Sequence, residues 1–254
     1  MRIRMLGTGY GVCKNKKLYS KEYRARGGVI VDDHVLIDAP SDIFEVESNL
    51  GFTRLFDTVT DILISHSHGG HFSPEAIDRL AEGKRVRVFA SSAVLSALSK
   101  NPNIEKYEIT SLSQFRVGNI SVCALPSNHW TDIYSEECFN FLLMGDKNLF
   151  YMLDGGFINK RAYNILRHIT IDCVILDTAL DIFDKTERCL YHNDIETAAR
   201  IKGVFESAGI SGERTKYLLS HVPTDKKREV HDELLPIAAK YGMTLTYDGY
   251  FLRF

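Results

Sequence analysis

Three histidines follow directly on a short apolar run, in the segment Ser65-His66-Ser67-His68-Gly69-Gly70-His71. The run before them, Ile62-Leu63-Ile64, has the length and character of a buried strand, and helix-like periodicity begins after Ser73-Pro74-Glu75. His66 and His68 are two residues apart, so on extended backbone their side chains point to the same side. Neutral imidazoles bind zinc and similar first-row metals. Because the chain has only nine histidines in 254 residues, we interpret this cluster as part of a metal centre rather than as three solvated loop residues.

Length and charge limit the classes of protein that the chain can belong to. With 44% apolar residues it can bury a large core, and no linker divides it, so we expect a single domain over residues 1–254. The net charge of −2 gives no overall field for nucleic acid or an anionic membrane, so an anionic small-molecule substrate needs a local site. The five cysteines form no CxxC pair, and no apolar run approaches ~18 residues. These features predict a cytoplasmic protein without a membrane span.

Hydrophobic patterning predicts an α/β protein. Strands are predicted near residues 2–6, 28–32, 34–38, 60–65, 86–90, 106–109, 114–117, 119–124, 139–144, 148–153, 172–176, 215–219, 243–247 and 250–253. Helices are predicted near residues 41–50, 73–82, 92–100, 157–167, 194–208 and 226–241. Paired strands come first and later strands alternate with helices. This order favours two sheets covered by helices over a simple doubly wound sheet.

Metal-competent side chains also follow three later apolar runs. His129 comes shortly after residues 120–125, Asp154 directly after 148–153, and His221 directly after 217–220. In sheet-based α/β folds, functional sites gather at the carboxyl ends of strands, where loops converge. A single histidine after a strand is a weak signal. Four such strand ends, with the first cluster included, predict one shared site.

The ordered set His-x-His-x-x-His, His, Asp, His resembles the metallo-β-lactamase superfamily of hydrolases. Residues 1–11 and 35–39 are similar to that superfamily's first strand and turn and to its second hairpin. The resemblance implies a metallo-β-lactamase-like four-layer αβ/βα sandwich, in which two mixed sheets are flanked by helices. Within the superfamily the chain is most similar to PhnP-type cyclic phosphodiesterases. The segments that carry this closer likeness are residues 125–129, 151–154, 192–194, 219–221 and 247–249.

The resemblance also implies a dinuclear metal site in the cleft between the sheets. The first metal would be held by His66, His68 and His129, and the second by His71 and His221. Asp154 would bridge the two metals. The expected cofactor is one or two divalent ions, with zinc favoured and manganese and iron left open.

Gly70 departs from the superfamily motif, which usually has an aspartate directly before its third histidine. That aspartate normally binds the second metal. Three states therefore stay open: two metals with water in place of the aspartate, one metal in the first site, or a degenerate metal-binding protein. Asp177, after the apolar run 173–176, either approaches the second site or has a structural role.

The implied reaction is hydrolysis by water on a metal, where the pKa of water can fall to near ~7. Neutral histidines with one carboxylate leave positive charge at such a site, which favours an anionic phosphate ester over a neutral substrate. We therefore expect a phosphodiesterase that acts on small phosphodiesters, cyclic ones included. Hydrolysis of another ester or of a thioester at the same site stays open.

Five further residues can be assigned from their sequence context. His192 precedes a predicted helix start, a position that favours anions, and is the candidate to contact the phosphate or protonate the leaving alkoxide. Asp194 either orients His192 or caps the helix, and Trp130 either walls the substrate pocket or packs in the interior. His168 and His231 have charged, helix-like surroundings and are expected at the surface. A homodimer is in keeping with the resemblance.

Overall fold

The computed structural model describes residues 1–11, 20–180, 186–224 and 230–254. The strands are β1 (Arg2–Gly7), β2 (Gly9–Tyr10), β3 (Gly28–Val31), β4 (Val35–Ile37), β5 (Asp61–Leu63), β6 (Val86–Ala90), β7 (Ile104–Glu108), β8 (Gln114–Val117), β9 (Ile120–Pro126), β10 (Phe139–Met144), β11 (Asn148–Met152), β12 (Cys173–Asp177), β13 (Lys216–Ser220), β14 (Val222–Pro223), β15 (Thr244–Leu245) and β16 (Phe251–Arg253). The helices are α1 (Glu45–Leu50), α2 (Pro74–Leu80), α3 (Ser92–Ala97), α4 (Lys160–Leu166), α5 (Ile195–Ser207) and α6 (Val230–Lys240), with a 3-10 turn at Glu187–Leu190.

The strands form two seven-stranded mixed sheets and one small ribbon. The first sheet has the order β16-β1-β3-β4-β5-β6-β7 and the second the order β15-β13-β12-β11-β10-β9-β8, while β2 pairs with β14. Neighbours are parallel from β4 to β7 in the first sheet and from β11 through β12 and β13 to β15 in the second. Within each parallel half the carboxyl ends of the strands meet at one edge, which is where a site can be assembled.

Alternating side chains build three apolar layers. Val29 and Val31 of β3 belong to the core between the two sheets, whereas Ile30 packs with the residues of α1, α2 and α3 on the outer face. In β12, Ile175 faces the other sheet and Val174 packs against α4, α5 and α6. Because strand side chains alternate in direction, one apolar run can serve two layers. Burying each such side chain contributes about 1.5–3 kcal/mol. The four-layer sandwich predicted from the sequence is confirmed.

The structure contains every predicted strand, with ends shifted by a few residues. It adds β2 and β14, which are two residues long and too short to show an alternating pattern. Helix α1 begins later than predicted, at Glu45, because residues 41–44 form turns. The predicted helix 226–241 is described from Val230 onward, since residues 225–229 lie outside the described ranges. None of the described helices is long and apolar enough to cross a membrane.

The prediction for His231 was wrong, whereas His168 is exposed as expected. His231 is only 2% exposed, and its Nδ1 lies 2.8 Å from Nη2 of Arg24, which is itself buried. Burial and the charge of Arg24 lower the pKa of His231 to about 4. The charged neighbours of His231 along α6 suggested a surface face, but a buried arginine from a distant segment needs an acceptor there.

Candidate metal centre

The residues predicted as ligands meet at the edge where parallel strands of both sheets end. His66, His68 and His71 lie in the turns after β5, His129 follows β9, and Asp154 and His221 follow β11 and β13. Asp154 and His221 adopt left-handed backbone, with φ of 51° and 57°. This conformation is uncommon for residues with a Cβ and costs about 1–3 kcal/mol, so the surrounding fold must hold it.

Three histidines surround one oxygen of the Asp154 carboxylate. The Nε2 atoms of His71, His66 and His129 lie 2.9, 3.6 and 3.8 Å from Asp154 Oδ2. His68 adjoins this group, since its Nδ1 lies 3.0 Å from His129 Nε2. Ligand atoms of His66, His68 and His129 lie within 4.8 Å of one another, and this trio corresponds to the set predicted for the first metal.

Two further histidines surround the other oxygen. His221 Nε2 lies 3.1 Å and His192 Nδ1 lies 2.9 Å from Asp154 Oδ1. The rings of His71 and His221, the histidines predicted for the second metal, lie 4.9 Å apart. The presence of His192 inside this cluster was not predicted, because its sequence position suggested only a contact with substrate.

The donor atoms of the cluster fit a divalent metal. His66 Nε2, His71 Nε2, His192 Nδ1 and Asp154 Oδ1 are buried and have no hydrogen-bond partner among the described residues. His71 and His192 approach Asp154 closely, but their contacts with it lack hydrogen-bond geometry. Buried polar atoms rarely go without a partner, and imidazole with carboxylate is a donor set that suits first-row divalent metals.

Burial and charge divide the histidines into two groups. Burial lowers the pKa of His221, lowers that of His129 to about 3, and, with the neighbouring histidines, holds that of His66 well below its usual value. These three imidazoles are therefore neutral at pH 7, the form that binds metals. Burial also acts to lower the pKa of His71, but the carboxylates of Asp38 and Asp154 outweigh it and raise that pKa to about 10. A cation bound there would have to displace this proton.

Asp38 orients His71, a role that the sequence interpretation missed. Its Oδ2 lies 2.7 Å from His71 Nδ1 and accepts a hydrogen bond of 2.7 Å from the Tyr151 hydroxyl. Its Oδ1 accepts from the Ser65 backbone N–H at 2.8 Å. A carboxylate on one ring nitrogen fixes the direction of the other, which leaves His71 Nε2 for a metal. The signal was available, because Asp38 follows β4 as Asp154 follows β11.

Asp177 and Asp194 have structural roles in the segment that carries His192. Both oxygens of Asp177 accept hydrogen bonds of 2.8 Å from Asn193, one from its backbone N–H and one from its side-chain amide. These bonds anchor the residue next to His192. Asp177 Oδ2 also lies 3.9 Å from His192 Nδ1, so the carboxylate approaches the cluster as well. Asp194 caps α5, because its Oδ1 accepts from the Thr197 N–H at 2.7 Å.

The cluster forms the floor of a pocket of about 480 Å³. Tyr10, Tyr191 and Trp130 contribute aromatic walls, and Arg26 contributes a cation. Trp130 is 55% exposed and its ring lies edge-on to Tyr191, with 5.8 Å between the ring centroids. Of its two predicted roles, the structure therefore supports a pocket wall over interior packing.

Gly70 lies at the edge of this pocket with open space beside it. A Cβ added at Gly70 would meet no atom within 4 Å, whereas one at Gly69 would lie 3.8 Å from Arg26 Nη1. Gly70 also has no positive φ, so a residue with a side chain is compatible with its backbone. The fold therefore permits a carboxylate at position 70, and the chain does not supply one.

A family model described as "Beta-lactamase superfamily domain" matches residues 33–207, and the chain belongs to this family. The superfamily assignment made from the motifs is thus confirmed. A comparison with curated proteins finds no match.

Solved structures share the fold at low sequence identity. YhfI from Bacillus subtilis, a metallo-beta-lactamase fold protein, has a TM-score of 0.72 and 16% identity over 99% of this chain and 98% of its own. The short form of human tRNase Z has a TM-score of 0.66 and 16% identity over 100% and 99%. CmlA from Streptomyces venezuelae, a diiron beta-hydroxylase, has a TM-score of 0.60 and 15% identity over 91% and 52%. The fold thus hosts different reactions, so the fold alone does not define the reaction at this site.

Proposed function

We propose that this protein is a metal-dependent hydrolase of small phosphodiesters, similar to the PhnP-type cyclic phosphodiesterases. The observation that carries the proposal is the single buried carboxylate of Asp154, with five histidine nitrogens within 3.8 Å, at the floor of an open pocket. A divalent metal held by these donors would lower the pKa of water at the site and would offset negative charge on a phosphoryl oxygen.

The charge of the centre favours an anionic substrate. The histidines are neutral when they bind a metal, and Asp154 is the only carboxylate whose oxygens approach several of them at once among the described residues. Gly70 adds no second carboxylate. The charge of a bound metal would therefore be compensated only in part, and the remainder would favour a phosphate ester over a neutral ester or thioester.

Arg26 adds a cation to the pocket wall. Its Nε donates to the carboxylate of Asp42 at 3.1 Å and its Nη2 donates to Ser41 Oγ at 2.7 Å, so the guanidinium is held in a fixed direction. Its Nη1 lies beside Gly69, in the loop that carries the histidines. A guanidinium fixed in this way can donate to a phosphate oxygen of a substrate on the metal centre.

Replacing Arg26 with alanine is expected to raise KM for a phosphodiester about ten-fold or more, since a hydrogen bond to a charged group contributes ~1.5–3 kcal/mol. Hydrolysis should be followed by steady-state kinetics on the metal-loaded protein. Arg85→Ala, which removes an exposed arginine, is the matched control. Asp42→Asn keeps the cation but weakens the ion pair that fixes its direction, so it should raise KM by less than Arg26→Ala does. An unchanged KM in Arg26→Ala would remove Arg26 from substrate binding.

A substrate panel tests the reaction class. Metal-loaded protein is offered bis-p-nitrophenyl phosphate, a 2′,3′-cyclic nucleotide, an acyl thioester and a lactone, each beside a sample treated with chelator. We expect chelator-sensitive turnover of the phosphodiesters that exceeds turnover of the other two by at least ten-fold. Preferential cleavage of the thioester or lactone would keep the hydrolase and reject the phosphodiesterase.

A further inference from the structure

We infer that His192 is itself a metal ligand: its Nδ1, together with His221 Nε2 and Asp154 Oδ1, holds the second cation and takes the place of the carboxylate that Gly70 does not provide. The resemblance alone assigns the second cation to His71, His221 and Asp154. The arrangement of atoms around Asp154 Oδ1 is what adds His192 to this set.

The positions of the donor atoms support this role. His192 Nδ1 lies 2.9 Å and His221 Nε2 lies 3.1 Å from the same carboxylate oxygen, the kind of spacing found between atoms that bind one ion. Ligand atoms of His192 also lie within 4.8 Å of those of His129 and Asp154, so His192 adjoins the histidines of the first site as well. His192 is 4% exposed, and its Nδ1 makes no hydrogen bond among the described residues.

The surroundings hold His192 in this orientation. Its backbone N–H donates to the Arg188 carbonyl at 2.9 Å, and the next residue is tied to Asp177 through two hydrogen bonds. The centroids of its ring and the Tyr10 ring are 5.0 Å apart, and the same separation holds for the Tyr191 ring. Together these contacts restrict the direction of the His192 ring.

Ligation through Nδ1 changes the chemistry open to His192. A neutral imidazole that binds a metal through one nitrogen keeps its only proton on the other. His192 can then donate a hydrogen bond from Nε2 but is not free to act as the acid that protonates a leaving group. The ligand role and the proton-donor role therefore predict different properties for a variant without the imidazole.

The test measures metal binding and uses no substrate, so its outcome is independent of the proposed hydrolase activity. Wild type, His192→Ala, Gly70→Asp and the double variant are stripped with chelator and titrated with Co²⁺. Bound metal is quantified by elemental analysis after dialysis, and the visible absorption of Co²⁺ reports its coordination. His168→Ala removes an exposed histidine and is the matched control. His192→Gln repeats the test if the alanine variant is unstable in thermal unfolding.

We expect wild type and His168→Ala to bind two cations. His192→Ala should bind the second at least ~100-fold more weakly, because losing a direct ligand costs more than the 10–100-fold that outer partners cost. The double variant, His192→Ala with Gly70→Asp, should bind the second cation tightly again, since position 70 has room for a carboxylate. Binding of two cations by His192→Ala with an unchanged Co²⁺ spectrum would overturn the inference. Wild-type protein that binds only one cation would also overturn the inference.

Discussion

Replacement of Asp154 with asparagine is expected to remove metal binding and to lower hydrolysis more than ~100-fold, because a shared direct ligand should cost more than an outer partner. Asparagine keeps the shape of the side chain but removes the charge that both groups of histidines approach. Burial acts to raise the pKa of Asp154, yet His221, His192 and His71 hold it well below its usual range, so the carboxylate is ionised at neutral pH. Elemental analysis and phosphodiester hydrolysis measure the two effects.

Asp146→Asn is the matched control for this variant. Asp146 lies just before β11, at the opposite end of the strand that leads to Asp154, and its side chain is 73% exposed. The same chemical change there should leave metal content and hydrolysis at the level of the wild type. If Asp154→Asn folded normally and still bound two metals, the carboxylate would not be the shared ligand.

Replacement of Asp38 with alanine should have the second largest effect. The change leaves the Ser65 N–H, the Tyr151 hydroxyl and His71 Nδ1 without their acceptor in the buried interior. Unsatisfied buried donors cost ~1–3 kcal/mol each, so we expect the free energy of unfolding to fall by about 3 kcal/mol or more. Loss of the partner that orients His71 should also weaken metal binding by ~10–100-fold. Denaturant unfolding and metal titration measure the two effects.

Tyr151→Phe separates stability from metal binding. It removes one hydrogen bond to Asp38 and leaves the contact between Asp38 and His71 in place. We expect a loss of about 1 kcal/mol in stability with little change in metal affinity. Equal loss of affinity in Tyr151→Phe and Asp38→Ala would mean that Asp38 acts only through general stability.

Most of the fold and the collection of predicted ligands could be read from the sequence, for one physical reason. Apolar runs that end in a polar residue mark strand ends, and parallel strands bring such ends together. His129, Asp154 and His221 were found in this way, and the structure brings all three to one cluster. Their roles as metal ligands stay predictions. The single domain, the cytoplasmic location, the small-molecule partner and the homodimer also stay predictions.

Contacts between distant segments were beyond the sequence. His192 precedes a helix, and only the packing of that segment against Asp177 directs its ring to Asp154. Likewise, the burial of His231 depends on Arg24, which is more than 200 residues away along the chain. Local periodicity reports which face of an element is apolar, but it does not report which polar partner a distant segment will supply.

The most direct test of a metal-dependent hydrolase at this centre is the rate of bis-p-nitrophenyl phosphate hydrolysis as a divalent metal is added to chelator-stripped protein. We expect no turnover without metal, a rate that rises with bound metal and then saturates, and no response in Asp154→Asn. Protein that binds the metal but shows no turnover, or turnover that Asp154→Asn retains, would contradict a metal-dependent hydrolase at this centre.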